Sequence, residues 1–361
     1  MHILHVVTSL PEGGLSRVVL DLSRQLKEKG HRVSICTTHA PGFHFAESVE
    51  LWDRSFNWTF HRQLRKLQRL VALLRDGDFD IVHTHQEPVG SVAAGMARRA
   101  PVVETVHLLE WWQAVSPAPL RVLRRLCTAR FAACSQEMYA QMLASRAAPK
   151  RKLCYVDNGI APPNRPGPEA IARFRLELGV EDGIPIVGAA VRICEQKGVR
   201  YLIEAFAAVR RELPSVLVIV GDGDQRQAME LLARELGVEA HVRFLGYRRD
   251  ATMLMAAFDV YVLPSLFEGL STGLLEAMSF GMPIVATAVP STVRVAGNCA
   301  VLVPPMRSDA LAQAILDLLR DRRYAAALGK QAAERFQAAF TAERLAEDYL
   351  RIYDELLTNR H

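Results

Sequence analysis

Short apolar runs of strand length alternate with segments of helical spacing along almost the whole chain, and this alternation constrains the fold most. Residues 3–8 are an apolar run. Residues 15–29 then place Val18, Val19, Leu22 and Leu26 on one helical face, ahead of Gly30. A glycine just past the last turn is a helix stop. Further strands are predicted at residues 32–37, 81–84, 102–106, 130–134 and 153–156, with helices such as 58–75 and 119–128 between them. The second half repeats the pattern: strands at 185–191, 216–220, 242–245, 260–263, 284–286 and 300–303, and helices at 199–212, 310–320, 323–338 and 342–358. Strands separated by helices pair in parallel. The expected architecture is α/β, with two doubly wound domains in tandem.

The 361 residues are enough for two cores, and the Pro/Gly-rich stretch 162–168 is the natural boundary. The expected division is residues 1–165, residues 166–340, and a C-terminal helix in 341–361 that packs back toward the N-terminal domain. Half the chain is hydrophobic, which excludes general disorder. Six Cys without a CxxC pair exclude a disulfide scaffold and fit a reducing compartment. The net charge of +5 hides an asymmetry. Residues 1–165 hold 22 Lys and Arg against 14 Asp and Glu, a balance of +8, whereas residues 166–361 hold 22 against 25, a balance of −3. Such halves are expected to meet different partners. The opening residues lack the features of a signal peptide, and no run of about 18 apolar residues occurs, so a cytoplasmic protein is expected, either soluble or peripheral at a membrane.

In open parallel sheets ligands bind beyond the carboxyl ends of the strands, so the loops after strands hold the candidate chemistry. Gly13 and Gly14 precede a helix, where a backbone can approach an anion or simply turn tightly. Arg192 and Lys197 bracket the loop after the first strand of the second domain, which suits a diphosphate or a solvated basic loop. The segment 267–276 carries Glu268 and Glu276. Were it all helical, the two carboxylates would lie about 12 Å apart along the axis, too far for a glycosidase pair at roughly 5–9.5 Å. Glu268 is therefore expected in the loop and Glu276 in the following helix, each touching a different part of one long ligand. Glu276 also interrupts the apolar run Leu274, Leu275, Ala277, Met278.

Phe267-Glu268-Gly269 with Glu276 resembles the E-x7-E signature of the retaining GT-B glycosyltransferases of family 4. Arg192-x4-Lys197, Gly221-Asp222-Gly223, Phe244-Leu245-Gly246, Asn158-Gly159-Ile160, Val303-Pro304-Pro305 and the Gly13-Gly14 loop match that family's pattern in order. The resemblance implies two Rossmann-like domains facing each other across a cleft. It also implies sugar transfer from a UDP- or GDP-sugar to an acceptor hydroxyl with retention, in bacterial polysaccharide, lipopolysaccharide or glycolipid synthesis. It assigns Arg192 and Lys197 to the diphosphate, Glu276 to the ribose and Glu268 to the donor sugar. Amides of Gly269, Leu270 and Ser271 would touch phosphate or sugar, Leu245 the base, and Gly13 and Gly14 the diphosphate. His107 would face the reaction centre, making His107, Arg192, Lys197 and Glu268 the catalytic candidates.

The sequence departs from the family pattern at Leu108, where Asp often stands, and around residues 289–294, which lack the usual Gly-Gly pair and Glu. His83 and His85 could share a strand face, but no third metal ligand is visible, so no metal or cofactor is expected. His83, His85 and Trp111 are acceptor-side candidates. Asp222-Gly223-Asp224 reads as a turn rather than a metal motif. A basic amphipathic stretch with Arg62, Arg65, Lys66 and Arg69, and the cluster Arg121, Arg124 and Arg125, suit an anionic membrane surface. No nucleic-acid module accompanies the charge. The competing functions are a nucleotide-sugar epimerase on the same fold and a non-catalytic nucleotide-sugar-binding subunit.

Overall fold

The computed structural model describes residues 1–8, 10, 13–37, 50–52, 60–107 and 118–359. The chain divides into two compact units, Met1–Ala161 with Ala342–His361, and Pro162–Thr341.

Unit 1 is built on strands β1 (His2–Val7), β2 (Arg32–Thr37), β3 (Glu50–Trp52), β4 (Ile81–His85), β5 (Val102–Val106), β6 (Arg130–Ala133) and β7 (Leu153–Tyr155). They form one sheet in the order β3-β2-β1-β4-β5-β6-β7. Unit 2 has β8 (Ile186–Ala190), β9 (Val216–Val220), β10 (Val242–Phe244), β11 (Val260–Leu263), β12 (Ile284–Thr287) and β13 (Val301–Val303), in the order β10-β9-β8-β11-β12-β13. All these ladders are parallel. In each sheet the strand order reverses once, between β1 and β4 and between β8 and β11. That reversal is the switch point where doubly wound sheets bind ligands.

The strands are apolar throughout because helices cover both faces of such sheets. Val216, Leu217, Val218, Ile219 and Val220 are all buried. The predicted strands at 32–37, 102–106, 216–220 and 260–263 match the observed bounds, and the others differ by a residue or two. The edge strand Glu50–Trp52 went unread; three residues give no period. The helix Gly14–Glu28 ends as expected: Gly30 has φ 85°, its N–H donates to Lys27, and that of His31 donates to Leu26. This is the two-bond cap that a left-handed residue permits.

The last helix, Ala342–Thr358, belongs to unit 1. Ala342 N–H donates to the Ile160 carbonyl at 3.0 Å, and Lys29 pairs with Glu347 at 3.0 Å. Tyr349 and Tyr353 are buried against the sheet. Among the described residues no helix is long and apolar enough to cross a membrane.

Candidate functional site

In unit 2 the loops after β8, β9, β10 and β11 are joined backbone to backbone, and glycines make this possible. Gly198 has φ 59°, and a Cβ there would lie 2.2 Å from the Pro264 carbonyl oxygen. A Cβ on Gly221 would lie 2.0 Å from the Val191 oxygen. The Gly221–Gly223 turn is pinned by Ile193 N–H to the Asp222 carbonyl at 2.9 Å and by Gly221 N–H to the Gly246 carbonyl at 2.8 Å. Asp222 spends its carboxylate locally, on the Gly223 N–H at 2.8 Å and on Arg226 at 3.3 Å.

This stitching places the loop after β8 against the loop after β11, on both sides of the switch point. Leu266 N–H donates to the Gln196 carbonyl, and the Gln196 amide donates to the Phe267 carbonyl. Lys197 Nζ thereby meets Glu268 Oε1 at 2.5 Å, and Ser265 Oγ donates to the same oxygen at 2.6 Å. The Lys197 side chain is 18% exposed and that of Glu268 only 5%. Arg192 lies exposed on the same loop with no carboxylate paired to it among the described residues. Glu268 is outside the helix and Glu276 within Thr272–Ser279, as expected. Glu276 is half-buried and accepts a hydrogen bond from Thr252 Oγ1 at 2.9 Å.

Ser271 caps that helix, its hydroxyl accepting from Leu274 N–H at 3.4 Å, while Gly269 and Leu270 lead into it half-buried. The departure at residues 289–294 forms a short helix, Pro290–Ala296, and Ser291 Oγ donates to the Glu268 carbonyl at 3.1 Å. Leu245 follows β10 and packs against a cluster of Phe174, Leu254 and Ala257. Beneath the helix lies Tyr261 of β11, fully buried, its hydroxyl without a hydrogen-bond partner among the described residues. Burial, then Glu276 and Glu268, hold that hydroxyl protonated far above the usual range.

In unit 1, Gly13 precedes the helix Gly14–Glu28, and a Cβ on it would meet nothing within 4 Å. Crowding among the described residues does not require glycine there. His107 follows β5; its N–H donates to Gln86 at 3.2 Å, and its ring stacks on His85 at 5.8 Å. His107 Nε2 is shielded and has no partner among the described residues, and burial lowers its pKa to about 4. The ring is therefore neutral near pH 7.

The missing third histidine exists. Register pairs His5 of β1 with His83, and ligand atoms of His5, His83 and His85 all lie within 4.8 Å of one another. Sequence spacing hid it, because His5 sits 78 residues before His83. The nitrogens are engaged as hydrogen bonds: His5 Nδ1 with His85 Nε2 at 2.9 Å, and His83 with Tyr353 at 2.6 Å and Thr105 at 2.7 Å. Thr105 in turn meets Tyr349 at 2.6 Å. Two distal nitrogens, His5 Nε2 and His85 Nδ1, have no partner among the described residues. A histidine-bound metal normally has such a nitrogen oriented by a second hydrogen bond, so the donor set suits a polar seam better than a metal centre. Burial pushes His5 down to about 3, and His83 and His85 well below their ordinary value.

The basic-surface expectation needs a correction at Arg124. That side chain is fully buried and paired with the buried Glu104, which also accepts from Ser91 at 2.8 Å. Burial lowers Arg124 to about 9. The helix Ala118–Cys127 instead turns Val122 (55%), Leu123 (47%) and Leu126 (73%) outward. Leu108 and Trp111 lie outside the described residues, as do the side chains of Arg62, Arg65, Lys66 and Arg69, whose helix, Phe60–Asp76, is present.

The model for glycosyl transferases group 1 matches residues 183–321, and that for glycosyltransferase family 4 matches residues 12–162. A GDP-mannose-dependent alpha-(1-6)-phosphatidylinositol monomannoside mannosyltransferase of Mycolicibacterium smegmatis is 30% identical over 301 residues, covering 77% of this chain and 78% of that protein. This chain belongs to glycosyltransferase family 4. A phosphatidyl-myo-inositol mannosyltransferase of Mycobacterium leprae is 29% identical over 96% of this chain and 94% of its own length. Among solved structures, Anabaena HepE in complex with UDP and glucose superposes with a TM-score of 0.83 at 23% identity, over 99% of this chain and 100% of that one. A glycosyltransferase from Rickettsia africae reaches the same TM-score at 18% identity, over 99% of both chains. The two doubly wound sheets of this glycosyltransferase are those of the GT-B fold.

Proposed function

We propose that this glycosyltransferase moves a hexose from a UDP- or GDP-sugar to an acceptor hydroxyl, with retention, in the synthesis of a surface polysaccharide or glycolipid. The observation that carries this reading is the meeting of Lys197 and Glu268 at the β8/β11 switch point, with Arg192 on the same loop unpaired among the described residues. Arg192 and Lys197 take the diphosphate, and the amides leading into Thr272–Ser279 add partial positive charge. Glu276, held by Thr252, takes the ribose, and Glu268 takes sugar hydroxyls. Charge growing on the leaving diphosphate is met by fixed cations, which need no reorganisation as the bond breaks. The acceptor hydroxyl attacks from the face the diphosphate leaves.

The mannosyltransferase relatives name a GDP-mannose donor and phosphatidylinositol acceptors, and HepE was solved with UDP; both bases therefore belong in the test. Thermal-shift measurements against a UDP- and GDP-sugar panel, followed by acceptor-dependent release of the diphosphate, decide the donor. Stabilisation by none of them overturns the reading.

A peripheral membrane role rests on the exposed Val122, Leu123 and Leu126 beside Arg121 and Arg125, on the more basic half of the chain. Flotation on anionic liposomes is expected to fall when Leu123 and Leu126 become Ser, and equal flotation of both forms removes this role.

A further inference from the structure

We propose that Glu268 is a built-in competitor for the diphosphate, one that makes the site favour a nucleotide carrying its sugar over the bare nucleoside diphosphate. The proposal rests on the donor reading above. Of the two cations expected to hold the diphosphate, Arg192 is unpaired among the described residues and Lys197 is already neutralised by a nearly buried carboxylate at 2.5 Å.

Glu268 is not free to swing away. Ser265, itself fully buried, donates to Oε1, the oxygen that faces Lys197. The Ser265 carbonyl accepts from Thr287, and the Glu268 carbonyl accepts from Ser291. The carboxylate is thus fixed at both its backbone and its head. None of Ser265, Thr287 and Ser291 stood out in the sequence.

An incoming diphosphate can take Lys197 only by drawing it off Glu268. That leaves a desolvated carboxylate beside a second anion, which is costly unless new donors reach it. A sugar on the β-phosphate brings hydroxyl donors to Glu268, and these replace the lost ammonium. A bare nucleoside diphosphate brings none. After transfer the sugar is gone, Glu268 is again unsatisfied, and it retakes Lys197 as the product leaves. The same carboxylate that holds the sugar therefore weakens product binding.

The test is calorimetric titration of the full chain with UDP and with GDP, comparing wild type, Glu268→Gln, Lys197→Ala and the double variant. Removing the competing charge is expected to tighten the bound diphosphate by about tenfold or more, the scale of one charged hydrogen-bonded contact. Lys197→Ala is expected to weaken it, and the double variant to show none of the gain. Glu268→Ala, which removes the carboxylate without placing an amide at Ser265, is expected to show the same gain as Glu268→Gln. If both Glu268 variants bind no tighter than wild type while Lys197→Ala still loses affinity, the competitor role fails and the donor site stands. If neither nucleotide binds any form, both fail together.

Discussion

The two units share a strand order, running third, second, first, fourth, fifth and sixth outward from one edge, with unit 1 adding β7. Beyond that frame they solve opposite problems. Unit 2 gathers charge at its switch point, with Arg192, Lys197, Glu268 and Glu276 on loops and one helix, although residues 162–341 hold 20 Lys and Arg against 20 Asp and Glu and carry no net charge. Unit 1 carries the surplus positive charge of the chain, yet its switch-point strands hold a neutral seam of His5, His83, His85, Thr105, Tyr349 and Tyr353. Its one deeply buried ion pair among the described residues, Arg124 with Glu104, joins the helix Ala118–Cys127 to β5. Net charge thus describes surfaces and partners, while site chemistry is set by a few side chains that topology brings together.

This contrast can be broken from either side. The largest effect is expected at Arg124→Ala, which strands the Glu104 carboxylate in the core of unit 1. A loss of about 3–5 kcal/mol is expected, read as a fall in the urea midpoint of unit 1. A loss under 1 kcal/mol means that water reaches Glu104 and that the pair is not structural.

Lys197→Ala is expected to lower turnover by about 10²–10³, the usual cost of removing one group that stabilises developing negative charge. Its melting temperature should barely move. Unchanged turnover with every nucleotide sugar would show that unit 2's charges do not hold the diphosphate.

The seam predicts a pH response specific to unit 1. His5 is held near pKa 3 in the folded state by burial, against about 6.5 in an unfolded chain. Below pH 6.5 the unfolded chain binds protons that the folded one refuses, so stability falls as pH drops and is flat above 6.5. His5 alone contributes up to about 1.4 kcal/mol per pH unit in that window, with His83 and His85 acting in the same direction. Unit 2 has a single histidine, His241, also shifted down by burial and by Arg210 and Arg243. Amide exchange between pH 7 and 5 should therefore loosen β1 and β4 before β8 and β11. Equal loosening would remove the distinction.

The smallest expected effect is a gain. Tyr261→Phe removes a buried hydroxyl that has no partner among the described residues and should stabilise unit 2 by about 1 kcal/mol. A loss of stability would mean that a bound water or ligand satisfies it.

The four loop glycines illustrate how far sequence reaches. Gly221 and Gly223 were legible as a turn, but the reason for them, contact with the Val191 and Ile193 carbonyls, appears only when β8 and β9 are adjacent. Gly198 and Gly246 are similar: each has positive φ in a loop that meets another loop. The donor-site candidates Arg192, Lys197, Glu268 and Glu276 were readable because the pattern follows strand ends. Thr252 and Ser265, which hold the two carboxylates, carried no local signal. Arg124 was read as surface because its neighbours are basic, and nothing nearby in sequence announces Glu104, 20 residues earlier on β5.

The sequence by itself determined the alternation of strands and helices, the parallel sheets, the helix stop at Gly30 and the family. All of these follow from local periodicity, backbone preference and ordered motifs. Only the tertiary structure decided which side chains face one another: His5 with His83 across a strand register, Arg124 with Glu104 from a helix to a strand, and Lys197 with Glu268 across two loops. The physical reason is that contact partners are fixed by strand order and loop packing. Buried polar groups then find their partners across that order, at separations no local pattern records.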